Sequence, residues 1–251
     1  MLPVALTIAG SDPSGGAGLQ ADLKTFYRFG VYGEAVVTLI TVQNTTGVER
    51  VETLAADLVL GQIRAVLDDI APRAAKAGAL GNASVMEAVA VAARSFGFPL
   101  VVDPIMFSKN GARLGDVSSL VARAYLLTPN LLEASELVGF TVDNRDSMHR
   151  AAEALIGMGA RNVLVKGGHL VGDALDLLYL EGGEVHEFSS ARIETPHTHG
   201  TGCTYSAAIT AELAKGTGLV QAVSLAKTFV TEAIRSNPGL GRGAGPLNHF
   251  A

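Results

Sequence analysis

Short apolar runs alternate with longer amphipathic stretches along most of the chain. Residues 4–9, 35–42, 75–79, 100–103, 125–128 and 162–166 are brief, continuous and often rich in Val, Leu and Ile. Such runs predict parallel strands covered on both faces, because a strand buried on two sides has no polar face to alternate with. Between them, residues 19–29, 56–70, 84–96, 131–138 and 147–158 carry apolar positions at helical spacing. Gly30 and Gly159 stand where left-handed C-terminal caps belong, and Asp146 stands where an N-terminal cap belongs. The rhythm then changes. Residues 175–180 and 185–189 flank Glu181, Gly182, Gly183 and Glu184, which predicts a β-hairpin, and two helices follow over 202–215 and 219–235. The order predicts one α/β domain over residues 1–251: a doubly wound three-layer αβα arrangement whose mostly parallel central sheet carries an antiparallel edge hairpin. Ligands of such sheets bind beyond the carboxyl ends of the strands, so the residues after each strand carry the candidate chemistry.

Composition narrows the class. Of 251 residues, 48% are hydrophobic and 17% charged, which excludes a disordered chain, and 29 glycines predict many turns and close backbone approaches. Nineteen Lys and Arg against 24 Asp and Glu give a net charge of −5, which argues against nucleic-acid and polybasic membrane-surface partners. The single Cys203 excludes an internal disulfide and a Cys-rich metal site, and favours a reducing, cytoplasmic compartment. No apolar stretch approaches a membrane helix, and the first residues lack the pattern of a secretory signal.

Six segments carry candidate chemistry. Residues 10–18, GSDPSGGAG, join the first strand to a helix; the turn can present backbone N–H groups to a ligand or can be purely structural. It lacks the ending of a Walker A loop. Gln43 follows the second strand, and its amide offers a donor beside an acceptor, matching a ring nitrogen next to an exocyclic amine. Asp103 ends the fourth strand. Asn130 and Glu133 stand three apart at a helix start, where they suit either a hydrated Mg²⁺ or a capping box. Lys166 precedes two glycines, its ammonium reaching either a phosphate or water.

The strongest signal is His199, Gly200, Thr201, Gly202, Cys203, Thr204, leading into an apolar helix. Two glycines there bare N–H groups at the positive end of a helix dipole, suited to charge developing on a transferring phosphoryl group. A cysteine in that first turn is expected to have its thiol pKa lowered, unless it is simply a small core residue. His197 and His199 lack an evident third ligand for zinc.

The ordered set AGSDPSGGAG, VQNTTGV, VDPIM, TPNLLEA, KGGH, HGTGC and the tail GPLNHF resembles the ribokinase-like superfamily. Within it the set is similar to the hydroxymethylpyrimidine/phosphomethylpyrimidine kinases of thiamin biosynthesis, over nearly the whole chain. The resemblance implies transfer of the ATP γ-phosphate to 4-amino-5-hydroxymethyl-2-methylpyrimidine and then to its monophosphate, with Mg²⁺. It leaves a monovalent cation requirement open, and it implies a homodimer. It implies that Gln43, Asp22 and Gly10 line the pyrimidine pocket and that Asn130, Lys166 and Asp103 serve ATP. Glu133 would serve the metal, and Gly200, Thr201 and Gly202 would form the anion hole. Cys203 matches the residue beside the acceptor hydroxyl, where many relatives carry Asp, and is the candidate base. A pyridoxal or pyridoxine kinase and a non-catalytic pyrimidine sensor are the alternative readings.

Overall fold

The computed structural model describes residues 2–105, 118–168, 170 and 172–251. Met106 and His169, which belong to two of the motifs, lie outside the described residues. The chain runs β1 (Val4–Ser11), α1 (Gly18–Arg28), β2 (Tyr32–Asn44), β3 (Gly47–Thr53), α2 (Ala56–Leu67), β4 (Ala74–Ala77), α3 (Ala83–Ala92), β5 (Leu100–Val102) and α4 (Ser118–Val121). It continues with β6 (Leu126–Leu127), α5 (Leu131–Val138), α6 (Arg145–Gly157), β7 (Val163–Gly167), β8 (Ala174–Tyr179), β9 (Val185–Ser190), α7 (Thr201–Ala214) and α8 (Leu219–Arg235). Among the described residues one nine-stranded sheet forms, in the order β3-β2-β1-β4-β5-β6-β7-β8-β9. The stretch from β2 to β7 is parallel, and β8 and β9 form the expected antiparallel edge.

The period of two along each strand divides the core. Leu6 and Ile8 of β1, Leu100 and Val102 of β5, and Val163 and Val165 of β7 pack under α2, α3, α5 and α6. Their neighbours Ala5, Val101 and Leu164 face α1, α7 and α8. Covering both faces of a parallel sheet in this way is what allows its strands to be apolar throughout. Helix α7 is buried from Cys203 to Ala214. Its Ala207, Ala208 and Ala211 let it lie close to the sheet, and its Ser206 and Thr210 hydroxyls are satisfied by carbonyls of the same helix. No described helix is long and apolar enough to cross a membrane.

Three local expectations change. Strand β2 extends to Asn44 and turns into β3, which pairs antiparallel with it, so the sheet has an antiparallel strand at both edges and Gln43 sits within a strand, opposite Val48. The cap of α6 is Asn144, not Asp146: Asn144 accepts from Ser147 N while Ser147 Oγ accepts from the Asn144 N–H. Asp146 is instead a first-turn acid, where the helix dipole still favours it. The third helical stretch ends earlier, in a short 3₁₀ turn over Ala93–Ser95. The left-handed Gly30 and Gly159 fall where expected.

Candidate active site

The carboxyl ends of the strands open into a cavity of about 760 Å³, within the range of small-molecule sites. Gly10, Asp12 and Gln43 line one end. Asp103, Asn130, Glu133, Lys166 and residues 200–203 line the middle, and Asp176, Tyr205 and Lys227 the far end. Ten of the eleven site residues named from the sequence are thereby brought together. The exception is Asp22.

Asp22 points into the protein beneath the cavity. Its side chain is 0% exposed, accepting from Thr7 Oγ1 at 2.7 Å and from Lys76 Nζ at 2.5 Å. Lys76, equally enclosed, also donates to the Cys203 carbonyl at 3.4 Å. Burial raises the Asp22 carboxyl, while Lys76 opposes that shift. The expectation that Asp22 lines the ligand pocket is therefore corrected: helix α1 turns this position toward β1 and β4.

The first loop also works differently from a bare N–H cradle. Asp12 accepts from Ser14 N at 2.8 Å and from Ala17 N at 2.9 Å, and its carbonyl accepts from Gly15 N at 2.9 Å. These three amides are thus spent on holding the loop's own shape. Burial acts to raise the Asp12 carboxyl, but bonds from His199, Gln43 and Ser14 outweigh it and hold the pKa well below the usual carboxylate range. Gly10 closes against β2, since a Cβ there would lie 2.5 Å from Leu39 Cδ1.

The segment at the start of α7 behaves as the sequence implies. Gly200 caps the helix at φ +82°, a left-handed conformation, and any Cβ would run into the Gly16 carbonyl. Thr201 N–H bonds Thr198 O at 3.3 Å. Gly202 and Cys203 N–H have no backbone acceptor among the described residues. Facing them, Lys166 Nζ bonds Asp103 Oδ1 at 2.9 Å, and a Cβ on Gly202 would sit 3.3 Å from that ammonium. Lys166 is 13% exposed, so a ligand in the cavity can reach it. Asp103 takes further bonds from Thr128 and Ser206, each at 3.3 Å. A cation and two amides without a backbone acceptor thus line the same part of the cavity, a set of groups suited to stabilising a phosphoryl group in transfer.

Asn130 and Glu133 form the capping box. Asn130 Oδ1 accepts from Glu133 N at 2.9 Å, and Glu133 Oε2 accepts from Asn130 N at 2.8 Å. The pair nonetheless lines the cavity. Burial pushes the Glu133 carboxyl up to about 7, Lys166 opposing and Asp103 reinforcing the shift. A carboxyl so short of positive charge suits a divalent cation held mainly by water and phosphate oxygens. Among the described residues no three His, Cys, Asp or Glu side chains converge on a metal. The two histidines diverge: His199 Nε2 lies 2.7 Å from Asp12 Oδ2, and His197 Nδ1 accepts from Gly245 N at 3.2 Å.

Cys203 overturns the expected low thiol pKa. The residue is only 8% exposed, and burial pushes its thiol up to about 11. Lys76 and the Gly18 N–H pull it down, while Asp22 and Asp103 push it up. Lost water and the two buried carboxylates outweigh Lys76 and the Gly18 N–H.

Asp12, Lys76 and the Asp176/Lys227 pair, bonded at 2.7 Å, were not singled out from the sequence. A lysine near a strand end was legible at 76 as at 166, but the aspartate partner of Lys76 is 54 residues away, with nothing local to signal it.

A family model for phosphomethylpyrimidine kinase matches residues 12–248. The hydroxymethylpyrimidine/phosphomethylpyrimidine kinase of Bacillus subtilis (strain 168) is 46% identical over 98% of this chain and 94% of that protein. Of solved structures, an ADP complex of Bacillus subtilis pyridoxal kinase superposes with a TM-score of 0.90 at 38% identity, covering 100% of this chain and 98% of that one. The phosphomethylpyrimidine kinase of Clostridium difficile 630 gives 0.81 at 42% identity, covering 92% and 99%. The full-length match, the ribokinase-like fold of these kinases and the strand-end cavity agree: this chain belongs to the phosphomethylpyrimidine kinase family.

Proposed function

We propose that this chain transfers the γ-phosphate of ATP to the hydroxymethyl group of 4-amino-5-hydroxymethyl-2-methylpyrimidine, and then to the monophosphate so formed, as a step of thiamin biosynthesis. The observation that carries the reading is the juxtaposition of two ends of one cavity. Gln43 and the first loop offer a donor and acceptor for a heteroaromatic edge, and Lys166 with the Gly202 and Cys203 amides offers a phosphoryl site. Bringing both reactants into one cavity would remove much of the entropic barrier of a two-substrate reaction.

Gln43 and Gly10 bound the pyrimidine. Lys166 and the Gly202 and Cys203 amides, presented by the Gly200–Thr201 turn, hold charge on the transferring group, Asp103 orients Lys166, and Asn130 keeps Glu133 in place. The free oxygen of Glu133 would hold Mg²⁺ together with water and the nucleotide's phosphates, and the ion would supply charge neutralisation there. Cys203 stands beside the acceptor hydroxyl as its base. Because its thiol is pushed up to about 11, that role belongs to the small thiolate fraction at neutral pH. We further read the chain as one domain, a cytoplasmic homodimer acting on small molecules; the net charge and single cysteine support the compartment and the absence of nucleic-acid partners.

Pyridoxal is the second acceptor to weigh, because a pyridoxal kinase superposes over the whole chain. Incubation with ATP, Mg²⁺ and each ring system, with mono- and diphosphorylated products resolved by chromatography, tests the reading. A diphosphate from the pyrimidine is the expected result. Phosphorylation of pyridoxal alone would replace the reading with the second one, and no turnover on either would favour a pyrimidine sensor.

A further inference from the structure

The carboxylate of Asp12 is shared by elements that approach the cavity from three directions. Its Oδ1 accepts from Ser14 N, and its Oδ2 accepts from Ala17 N while lying 2.7 Å from His199 Nε2. Gln43, from β2, faces the same carboxylate closely enough to help hold it charged. His199 immediately precedes the Gly200 cap, and its own N–H is anchored to Gly245 O at 3.1 Å. The two loops also touch without a gap: a Cβ on Gly16 would lie 2.7 Å from His199 Cδ2, and one on Gly200 would run into Gly16 O. The His199 and Asp12 side chains are 6% and 4% exposed, so their bond is sheltered from solvent competition.

We propose that Asp12 and His199 are a positioning pair that locks the acceptor-binding end of the cavity to the phosphoryl end, so that Gln43 and the residue 200–203 amides hold a fixed separation. The inference rests on the kinase reading of the site. Chemically the pair moves no proton and touches no reacting atom. It acts through its neighbours: a carboxylate can only accept, so Asp12 favours the amino end of the Gln43 amide turned toward it and the carbonyl oxygen turned to an exocyclic amine on the ligand. At the other side His199 sets where the Gly200 turn begins. In-line transfer is sensitive to such spacing, because a displacement of about 1 Å at the reacting centre costs about 10²-fold.

The test compares the parent with His199→Leu, His199→Gln, Asp12→Asn and the Asp12→Asn/His199→Leu double variant. In His199→Leu, kcat for the pyrimidine is expected to fall about 10²-fold and its KM to rise severalfold. ADP, which lacks the transferred group, should bind as in the parent by calorimetry. His199→Gln, which keeps an N–H donor at similar reach, should recover most of both parameters, and the double variant should be no worse than the poorer single one. Iodoacetamide labelling of Cys203, the only thiol, supplies a readout without turnover: about tenfold faster in His199→Leu, near the parent rate in His199→Gln. Equal loss of ADP affinity, additive losses in the double variant, or an unchanged kcat, KM and labelling rate in His199→Leu would overturn the proposal. If the parent failed to phosphorylate the pyrimidine, the functional reading would fall while the labelling arm still decided the bridge.

Discussion

Two lysines stand near the ends of two parallel strands, each paired with an aspartate, and they have opposite fates. Lys76 on β4 and its partner Asp22 are fully enclosed, bonded at 2.5 Å, and absent from the cavity wall. Lys166 on β7 and Asp103 are bonded at 2.9 Å and line the cavity, with the ammonium 13% exposed. The difference is which side of the strand end is covered. Lys76 lies under the first turn of α7 and donates to the Cys203 carbonyl, whereas Lys166 faces the open side of that turn at Gly202. One pair holds the floor of the site, and the other meets the ligand. Buried ion pairs are weak evidence for net stability, but breaking one leaves an uncompensated charge.

The comparison can be broken from either side. Lys76→Met strands the Asp22 carboxylate and should destabilise the fold by about 3–5 kcal/mol in urea denaturation, whereas adding Asp22→Leu should recover most of the loss. A Lys76→Met protein of parental stability but without activity would move Lys76 into the chemistry. Lys166→Met should lower kcat about 10²–10³-fold, with a smaller shift in Tm, because Asp103 keeps Thr128 and Ser206 as partners. A collapse of Tm with normal specific activity of the folded fraction would make the two pairs alike.

Cys203 sits between the pairs, and its titration sharpens the contrast. With the thiol pushed up to about 11, the thiolate fraction grows about tenfold per pH unit below that value. The rate of the first phosphorylation should climb between pH 7 and 9, and Cys203→Ala should flatten it and cost about 10²-fold at pH 7. The second phosphorylation, whose nucleophile is already an anion, should show little of either effect. Equal losses in both steps would leave the thiol a wall of the pocket.

The smallest expected effect concerns His249, buried beside the same turn, where its Nε2 lies 3.1 Å from Thr204 Oγ1. Burial, reinforced by Lys24, pushes its pKa down to about 4. The folded state therefore favours the neutral ring, and the stability this carries is present above about pH 6.5 and lost as pH falls toward 4. Tm should fall over that window more in the parent than in His249→Gln. A parallel decline would show that the tail contributes nothing to the acid sensitivity.

The strands and helices that pack on both sides were legible because apolar period reports burial directly, as in α5 and α8, whose ends fall at the expected residues. Strand β3 was not. Its Glu49, Arg50 and Glu52 belong to an edge strand facing water, and its pairing is the ladder to β2, which no local pattern encodes. Asp146 was misassigned as a cap because Asn144 and Asp146 are both good capping residues, and the chain's entry angle selects between them.

By itself the sequence determined the layered α/β fold, the order of its motifs and the residue types at each strand end, because these follow from periodicity and from backbone needs such as the left-handed cap at Gly200. Tertiary structure alone decided which side chains share a space. It turned Asp22 away from the ligand and onto Lys76, joined Asp12 to His199 across 187 residues, and raised the Cys203 thiol by surrounding it with protein and two carboxylates. Those outcomes depend on distance and dielectric in three dimensions, which residue order along a chain does not specify.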